Sequence, residues 1–157
     1  MIIVIDGPAG SGKSSTAKAV ADRLHIEYLD SGALYRTVTL LFLRCENDFD
    51  TFFRFLKPEK IRFRYENKTF RVWLDSTEVT QKIRDSDVSE HVSQVAAKHE
   101  VREFVNDLMR EAVKKNTYIA EGRDLGTAVF PDAAMKFFMT ADVETRAERR
   151  FKELKKR

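Results

Sequence analysis

The chain alternates between short apolar runs and longer segments that have helical periodicity. It opens with Ile2–Ile5, four consecutive β-forming residues that suit a strand buried on both faces of a parallel sheet. A helix is predicted over Ser15–Leu24, followed by a short second strand at His25–Leu29. Asp30–Gly32 form a favourable loop and helix cap, and a helix is predicted over about Ala33–Arg44. This succession of strand, helix, strand and helix is typical of a parallel α/β sheet.

The middle of the chain departs from that alternation. Phenylalanines at helical spacing predict a short helix that ends near Pro58. Ile61–Tyr65 and Phe70–Leu74 alternate strictly between apolar and polar residues, which predicts a hairpin with one apolar face. Helices are predicted over Asp85–Ala97 and about Glu100–Lys115. The inner stripe predicted for the second of these helices is Val101, Val105, Leu108 and Ala112.

The strand and helix pattern returns in the last third of the chain. Strands are predicted at Thr117–Ala120 and Met135–Met139, and Asp142 is placed to cap a final helix from Val143 onward. We therefore predict an α/β fold whose open parallel sheet is flanked by helices, with a small hairpin and helical insert. Ligands gather at the carboxyl ends of the strands in such sheets. Four polar segments follow predicted strand ends and indicate one shared site: Gly7–Ser14, Asp30–Gly32, Glu121–Asp124 and Thr140–Asp142.

The segment after the first strand carries the most specific chemistry. Gly7-Pro8-Ala9-Gly10-Ser11-Gly12-Lys13-Ser14 matches the pattern G-x-x-x-x-G-K-[ST], with a predicted strand before it and a predicted helix after it. The glycines let the backbone curl so that successive N–H groups face inward, and the helix adds its unpaired amide groups. Lys13 can reach the β- and γ-phosphates of a nucleoside triphosphate, and the Ser14 hydroxyl can bind Mg²⁺. The pattern therefore predicts a triphosphate site.

Composition limits the class of protein. The 157 residues, 43% hydrophobic and 34% charged, suit a single globular domain. The net charge of +3 suits a protein that binds phosphates, but does not by itself indicate nucleic acid. Cys45 is the only cysteine, so no internal disulfide can form, and its apolar surroundings predict a small core residue. No apolar run approaches the roughly 18 residues of a membrane span, and no signal peptide pattern opens the chain, so we expect a cytoplasmic protein.

The polar face of the predicted hairpin is basic, with Arg62, Arg64 and Arg71. We interpret it as a solvated face, because no glycine and aromatic run typical of RNA-recognition motifs accompanies it. An RNA-binding role is the weakest alternative for this chain. We expect a monomer that binds small molecules and no nucleic acid.

Four parts of the chain carry motifs that occur together in one enzyme family: Asp6–Ser14, Leu29–Arg36, Ser93–Ala97 with Val101-Arg102, and Glu121–Pro131. They resemble the bacterial cytidylate kinases, which are nucleoside monophosphate kinases. The resemblance covers nearly the whole chain, and it implies a P-loop NTPase-type sheet with four of the usual five strands. It also implies a core of residues 1–36 and 116–157 and a monophosphate-binding region of about 37–115, which includes the hairpin insert at 60–80.

The resemblance implies phosphoryl transfer from ATP to CMP or dCMP, with Mg²⁺. It implies that Gly7–Ser15 hold the ATP phosphates, and that Glu121, where many relatives carry Asp, holds a Mg²⁺-bound water. Arg36 and Arg123 would grip the CMP phosphate, and Ser93 and Arg102 would read the cytosine. The implied catalytic residues are Lys13, Arg36 and Arg123, and the implied substrate-binding residues are Ser31, Arg36, Ser93, Arg102, Arg123 and Asp124.

Two alternatives stay open at this point: a P-loop kinase for another small molecule, and a non-catalytic or weakly active nucleotide-binding module. CMP, dCMP and UMP also stay open as the preferred acceptor. The family pattern continues beyond Arg157 into a mobile lid, a strand and a helix, so the chain resembles the first three-quarters of such a kinase. We therefore expect a truncated C-terminus, poor nucleotide binding and slow turnover from these 157 residues alone.

Overall fold

The computed structural model describes residues 1–155. The expectation of a truncated C-terminus concerns Lys156-Arg157, which lie outside the described residues. The strands are β1 (Ile2–Asp6), β2 (Glu27–Asp30), β3 (Ile61–Glu66), β4 (Thr69–Leu74), β5 (Thr77–Glu78), β6 (Tyr118–Gly122) and β7 (Met135–Phe138). The α-helices are α1 (Lys13–Leu24), α2 (Ser31–Arg44), α3 (Phe49–Phe55), α4 (Ser86–Ala96), α5 (His99–Ala112) and α6 (Val143–Lys155). Short 3₁₀ helices occur at Pro58–Lys60 and Lys82–Arg84, and a π-helical segment at Leu125–Val129. The chain forms two compact units, one of Met1–Leu29 with the chain from Lys115 onward, and one of Asp30–Lys114.

The first unit is built on a four-stranded sheet in the order β2-β6-β1-β7. β1 pairs in parallel with both β6 and β7, which confirms the predicted α/β class and the parallel sheet. The centre of this sheet is apolar and buried: Val4 of β1 and Ala120 of β6 are fully buried, and Ile119 is 1% exposed. The register places Asp6 opposite Gly122 on one side and Phe138 on the other. The carboxyl ends of three strands therefore lie level at one edge of the sheet.

The second unit contains the predicted hairpin. β3 and β4 pair antiparallel across a two-residue turn, Asn67-Lys68, in which both residues have positive φ (50° and 60°), as a type I′ turn requires. Phe70 and Val72 are buried, while Arg71 lies within ion-pair distance of Glu66 (3.7 Å) and Glu78 (3.6 Å). The basic face is thus partly neutralised by its own carboxylates.

The helices of the second unit show one difference from the predicted pattern. In α5 the buried positions are Val101, Val105 and Met109, whereas Leu108 and Ala112, which the prediction placed on the same stripe, are only half-buried. The buried positions are four residues apart. Because one turn of an α-helix contains 3.6 residues, each buried position is rotated slightly around the helix relative to the one before it. α2 is buried along most of its length, and the Cys45 thiol that follows it is 9% exposed. The burial of Cys45 confirms a core cysteine, and desolvation, followed by the neighbouring Asp48 carboxylate, raises its pKa.

Within residues 1–155, no helix is both long enough and apolar enough to cross a membrane.

Candidate active site

The loop between β1 and α1 has a backbone that only glycine accommodates at two points. A Cβ added to Gly7 would lie 2.0 Å from the carbonyl oxygen of Met139, well inside any contact distance. Gly10 has φ 76°, in the left-handed region, and a Cβ there would lie 3.0 Å from the Arg146 carbonyl oxygen. The chain after β7 and the first turn of α6 therefore pack directly against the loop. This packing fixes the curl that the sequence pattern predicted.

The loop passes into α1 at Gly12, the N-cap residue, which has φ 97° and no side chain to cap the helix. The first amide groups of α1 are therefore left without a side-chain acceptor, which favours an anion at this end of the helix. The ammonium group of Lys13 donates a hydrogen bond to the carbonyl oxygen of Pro8 at 3.1 Å. This contact folds the lysine back over the loop, next to the amides. Amides and ammonium group together make the loop suited to phosphate.

A cavity of about 880 Å³ opens beside the loop. Its loop wall and Thr140 were predicted from the sequence, whereas Met139 was predicted only as a strand residue, and Arg149 and Glu153 were not among the predicted site residues. Arg149 Nη1 donates to the carbonyl oxygen of Gly10 at 3.1 Å, so a guanidinium group stands at the mouth of the phosphate-binding loop. Arg146, Arg149 and Arg150 share one face of the helix at spacings of three and four, a pattern that a solvated helix would also show. The residues that line the cavity are Gly10, Ser11, Gly12, Lys13, Ser14, Ser15, Thr16, Met139, Thr140, Arg149 and Glu153.

A buried carboxylate meets the loop from β6. Glu121 is 4% exposed, and its Oε2 accepts a hydrogen bond from Ser14 Oγ at 2.8 Å. Its Oε1 accepts a hydrogen bond from the hydroxyl group of Tyr28, a contact that sequence analysis did not predict. Among residues 1–155 there is no group of three or more His, Cys, Asp or Glu side chains able to hold a metal ion. Mg²⁺, however, uses one or two protein oxygens together with phosphates and water, and the hard oxygens of Ser14 and Glu121 fit that requirement.

A second buried carboxylate ties β1 to the segment after β6. Asp6 is 7% exposed, and its two oxygens accept hydrogen bonds from the main-chain N–H groups of Leu125 (2.9 Å) and Gly126 (2.8 Å). These are the first residues of the π-helical segment. Arg123 and Asp124, both predicted site residues, immediately precede it. Arg123 is exposed and forms no hydrogen bond or ion pair within the part of the chain that the structure describes, so it is available to a ligand.

The remaining predicted site residues belong to the second unit. Ser31 is buried at the start of α2, where Asp30 caps the helix by accepting a hydrogen bond from Ala33 N at 2.9 Å. Arg36 lies one turn further along α2; its Nη1 donates to Ser89 Oγ at 2.9 Å and to the Ile83 carbonyl oxygen at 3.3 Å. Ser93 on α4 is exposed and Arg102 on α5 is half-buried.

Comparisons with known proteins confirm the resemblance seen in the sequence. The model of the cytidylate kinase family matches residues 3–157. The cytidylate kinase of Chloroherpeton thalassium is 46% identical over 162 residues, with 99% of this chain and 67% of the relative covered. The cytidylate kinase of Carboxydothermus hydrogenoformans is 43% identical over 157 residues, with 98% and 71% covered. That of Leuconostoc mesenteroides is 42% identical over 154 residues, with 96% and 69% covered. The chain thus belongs to the cytidylate kinase family.

Proposed function

We propose that this protein transfers the terminal phosphoryl group of ATP to CMP and dCMP, giving ADP with CDP or dCDP. The observation that carries the proposal is the family match, which runs over residues 3–157 and includes every proposed site residue. A phosphate-binding loop with a lysine, and a serine paired with a buried carboxylate, support ATP as the donor.

The donor phosphates are held, in this proposal, by residues Gly7–Ser15. Lys13 exchanges its hydrogen bond with the Pro8 carbonyl oxygen for one with the β- and γ-phosphates. Bound Mg²⁺ would neutralise negative charge on those phosphates, with Ser14 Oγ and a water on Glu121 as the protein-derived oxygens. The loop supplies the remaining stabilisation through main-chain amides that need no reorganisation when the reaction begins.

The acceptor nucleotide is bound through guanidinium groups and hydroxyl groups. Arg36 and Arg123 take the CMP phosphate, because a planar guanidinium can grip two phosphate oxygens at once. No general base is required, since the attacking phosphate is already an anion; catalysis is alignment and charge neutralisation. Asp124 and Ser31 line the acceptor side, and Ser93 and Arg102 read the base.

We further propose a cytoplasmic monomer that does not bind nucleic acid. The pairing of Arg71 with Glu66 and Glu78 supports the last point, the absence of nucleic-acid binding, because it lowers the positive charge that a phosphate backbone would need. A kinase for another acceptor and a module without turnover are not favoured, since the relatives that cover nearly the whole chain are named cytidylate kinase.

The test measures ADP formation from ATP and MgCl₂ with CMP, dCMP, UMP and AMP, and detects the diphosphate product directly by phosphorus NMR. Arg36→Ala should raise the KM for CMP by about 10- to 100-fold, because a hydrogen bond to a charged group is worth about 1.5–3 kcal/mol. ATP affinity, measured by calorimetry, should not change.

Two further variants separate binding from folding. Arg36→Lys keeps a positive charge but loses the fork, and should fall between the wild type and Arg36→Ala. Arg44→Ala is the matched control, an exposed arginine at the other end of the same helix. Unchanged CMP kinetics in Arg36→Ala would reject the role of Arg36. Binding of ATP without phosphorylation of any cytidine nucleotide would reject the proposed activity.

A further inference from the structure

A buried tyrosine lies behind the Ser14–Glu121 pair. Tyr28 is on β2, the neighbour of β6 in the sheet, and it is only 1% exposed. Its hydroxyl group donates a hydrogen bond to Glu121 Oε1, while the other carboxylate oxygen accepts the hydrogen bond from Ser14 Oγ at 2.8 Å. One hydroxyl group of the scaffold and one of the phosphate-binding loop therefore hold the carboxylate from two sides.

We infer that Tyr28 is a positioning residue, which fixes the Glu121 carboxylate in the orientation that serves Ser14 and the Mg²⁺ of the donor nucleotide. The inference rests on the proposed function in one respect, that the loop binds ATP together with Mg²⁺. It adds a residue that touches neither nucleotide nor metal, and that acts through Glu121.

The need for such a residue follows from the length of the glutamate side chain. Glutamate has one more rotatable bond than aspartate, so its carboxylate samples more rotamers unless a neighbour restrains it. Tyr28 is suited to that task because its ring is packed in the core and its hydroxyl position depends on few torsions. The ammonium group of Lys18 lies 5.6 Å from the centroid of the ring, a cation–π contact that further restrains it.

Loss of the hydrogen bond from Tyr28 to Glu121 should affect the binding of Mg²⁺ and not the binding of the phosphates. Hydrogen bonds to a carboxylate at a metal site orient it, and removing such a partner typically lowers metal affinity about 10- to 100-fold. In the proposed function, the amides of the loop and Lys13 bind phosphate without needing the metal. Loss of the tyrosine hydroxyl should therefore weaken the Mg²⁺-dependent part of ATP binding and spare the metal-free part.

The test is Tyr28→Phe, which keeps the packed ring and removes only the hydroxyl group. ATP affinity is measured by calorimetry in EDTA and over a MgCl₂ series. We expect the ATP affinity of Tyr28→Phe in EDTA to equal that of the wild type. The MgCl₂ concentration that gives half of the Mg²⁺-dependent increase in ATP affinity should be about 10- to 100-fold higher than in the wild type. Tyr118→Phe is the matched control, because it removes a hydroxyl group from a half-buried tyrosine on the adjacent strand; it should match the wild type in both conditions.

A double variant tests whether the effect passes through Glu121. In a Glu121→Asp background the carboxylate is shorter, so Tyr28→Phe should cause little further change in the Mg²⁺ dependence. Equal losses of affinity in EDTA and in MgCl₂ would mean that Tyr28 supports only the fold, and would overturn the inference. An unchanged Mg²⁺ dependence, or effects that simply add in the double variant, would also overturn it. If the wild type binds ATP with Mg²⁺ but does not phosphorylate CMP, the proposed function fails and the role of Tyr28 stands.

Discussion

Replacement of Asp6 offers the sharpest test of how the site is held together. Both oxygens of this buried carboxylate accept hydrogen bonds from main-chain N–H groups, those of Leu125 and Gly126, which lie in the chain 119 and 120 residues away. Asp6→Ala leaves two buried donors without partners, because Leu125 and Gly126 are themselves buried. At about 1–3 kcal/mol for each unsatisfied donor, the expected loss for the two donors is about 2–6 kcal/mol. That is a large fraction of the roughly 5–15 kcal/mol that stabilises a typical domain.

The loss is measurable in two ways. Urea unfolding followed by circular dichroism should show a midpoint lowered by about 1–3 M, given a typical slope of about 2 kcal/mol per molar urea. Amide hydrogen exchange gives the local readout, since protection of the Leu125 and Gly126 amides should fall most. Asp6→Asn should cause an intermediate loss of stability. Its amide oxygen can accept a hydrogen bond from one of the two main-chain N–H groups, but its NH₂ group faces the other N–H group and cannot accept.

The control is Asp132→Ala, an exposed aspartate in the same unit, which should change stability by less than about 0.5 kcal/mol. The reasoning is refuted if Asp6→Ala costs less than about 1 kcal/mol, since even one orphaned buried donor should cost that much. It is also refuted if Asp6→Asn is as damaging as Asp6→Ala, or if exchange at Leu125 and Gly126 does not accelerate.

Two other predictions concern the loop and the last helix. Gly7→Ala should abolish ATP binding and lower the melting temperature, because its Cβ would lie 2.0 Å from the Met139 carbonyl oxygen. Retention of ATP affinity in a titration would contradict this prediction. Gly32→Ala is the milder control for stability, because its Cβ would come no nearer than 3.2 Å to the nearest atom, a side-chain oxygen. The main-chain N–H of Thr145, followed by its side-chain hydroxyl, lowers the pKa of Asp142 below its usual 3.8. A depressed carboxylate pKa stabilises the folded state above the unfolded value, and the effect is lost as the pH falls through the folded value. Melting curves from pH 7 to pH 2 should therefore show Asp142→Asn less stable than the wild type near neutrality, with the difference vanishing below pH 3.8; a difference independent of pH would be inconsistent with a charged cap.

The donor side could be predicted from the sequence because its determinants are local. The loop pattern occupies consecutive residues, and the strand before it and the helix after it each follow from their own periodicity. The caps at Asp30 and Asp142 were predicted for the same reason, and both accept the expected main-chain hydrogen bonds. These features need no knowledge of what lies elsewhere in the chain.

The contacts that were missed join residues far apart in sequence. The π-helical segment at Leu125–Val129 has no local pattern that favours it, and its first two amides are held by Asp6. The sequence pattern places Tyr28 in a strand among apolar residues. Nothing near it in sequence indicates that its hydroxyl group donates a hydrogen bond to a carboxylate 93 residues later. The α5 stripe was predicted only in part because Leu108 and Met109 are both apolar, and packing alone decides which of them is fully buried. The roles of Arg36, Ser93 and Arg102 come from family resemblance and stay predictions.

The two buried carboxylates at the ends of β1 and β6 illustrate how position alone does not define a role. Asp6 accepts from main-chain N–H groups, which are donors with a fixed direction, so its charge is committed to the fold. Glu121 instead accepts from hydroxyl groups, which carry lone pairs as well as a proton. In the pair with Glu121 Oε2, Ser14 Oγ donates the hydrogen bond, so its lone pairs are directed elsewhere. In the proposed function a metal ion uses those lone pairs, and Glu121 is the carboxylate that orients its ligand, whereas Asp6 holds the backbone beside the site.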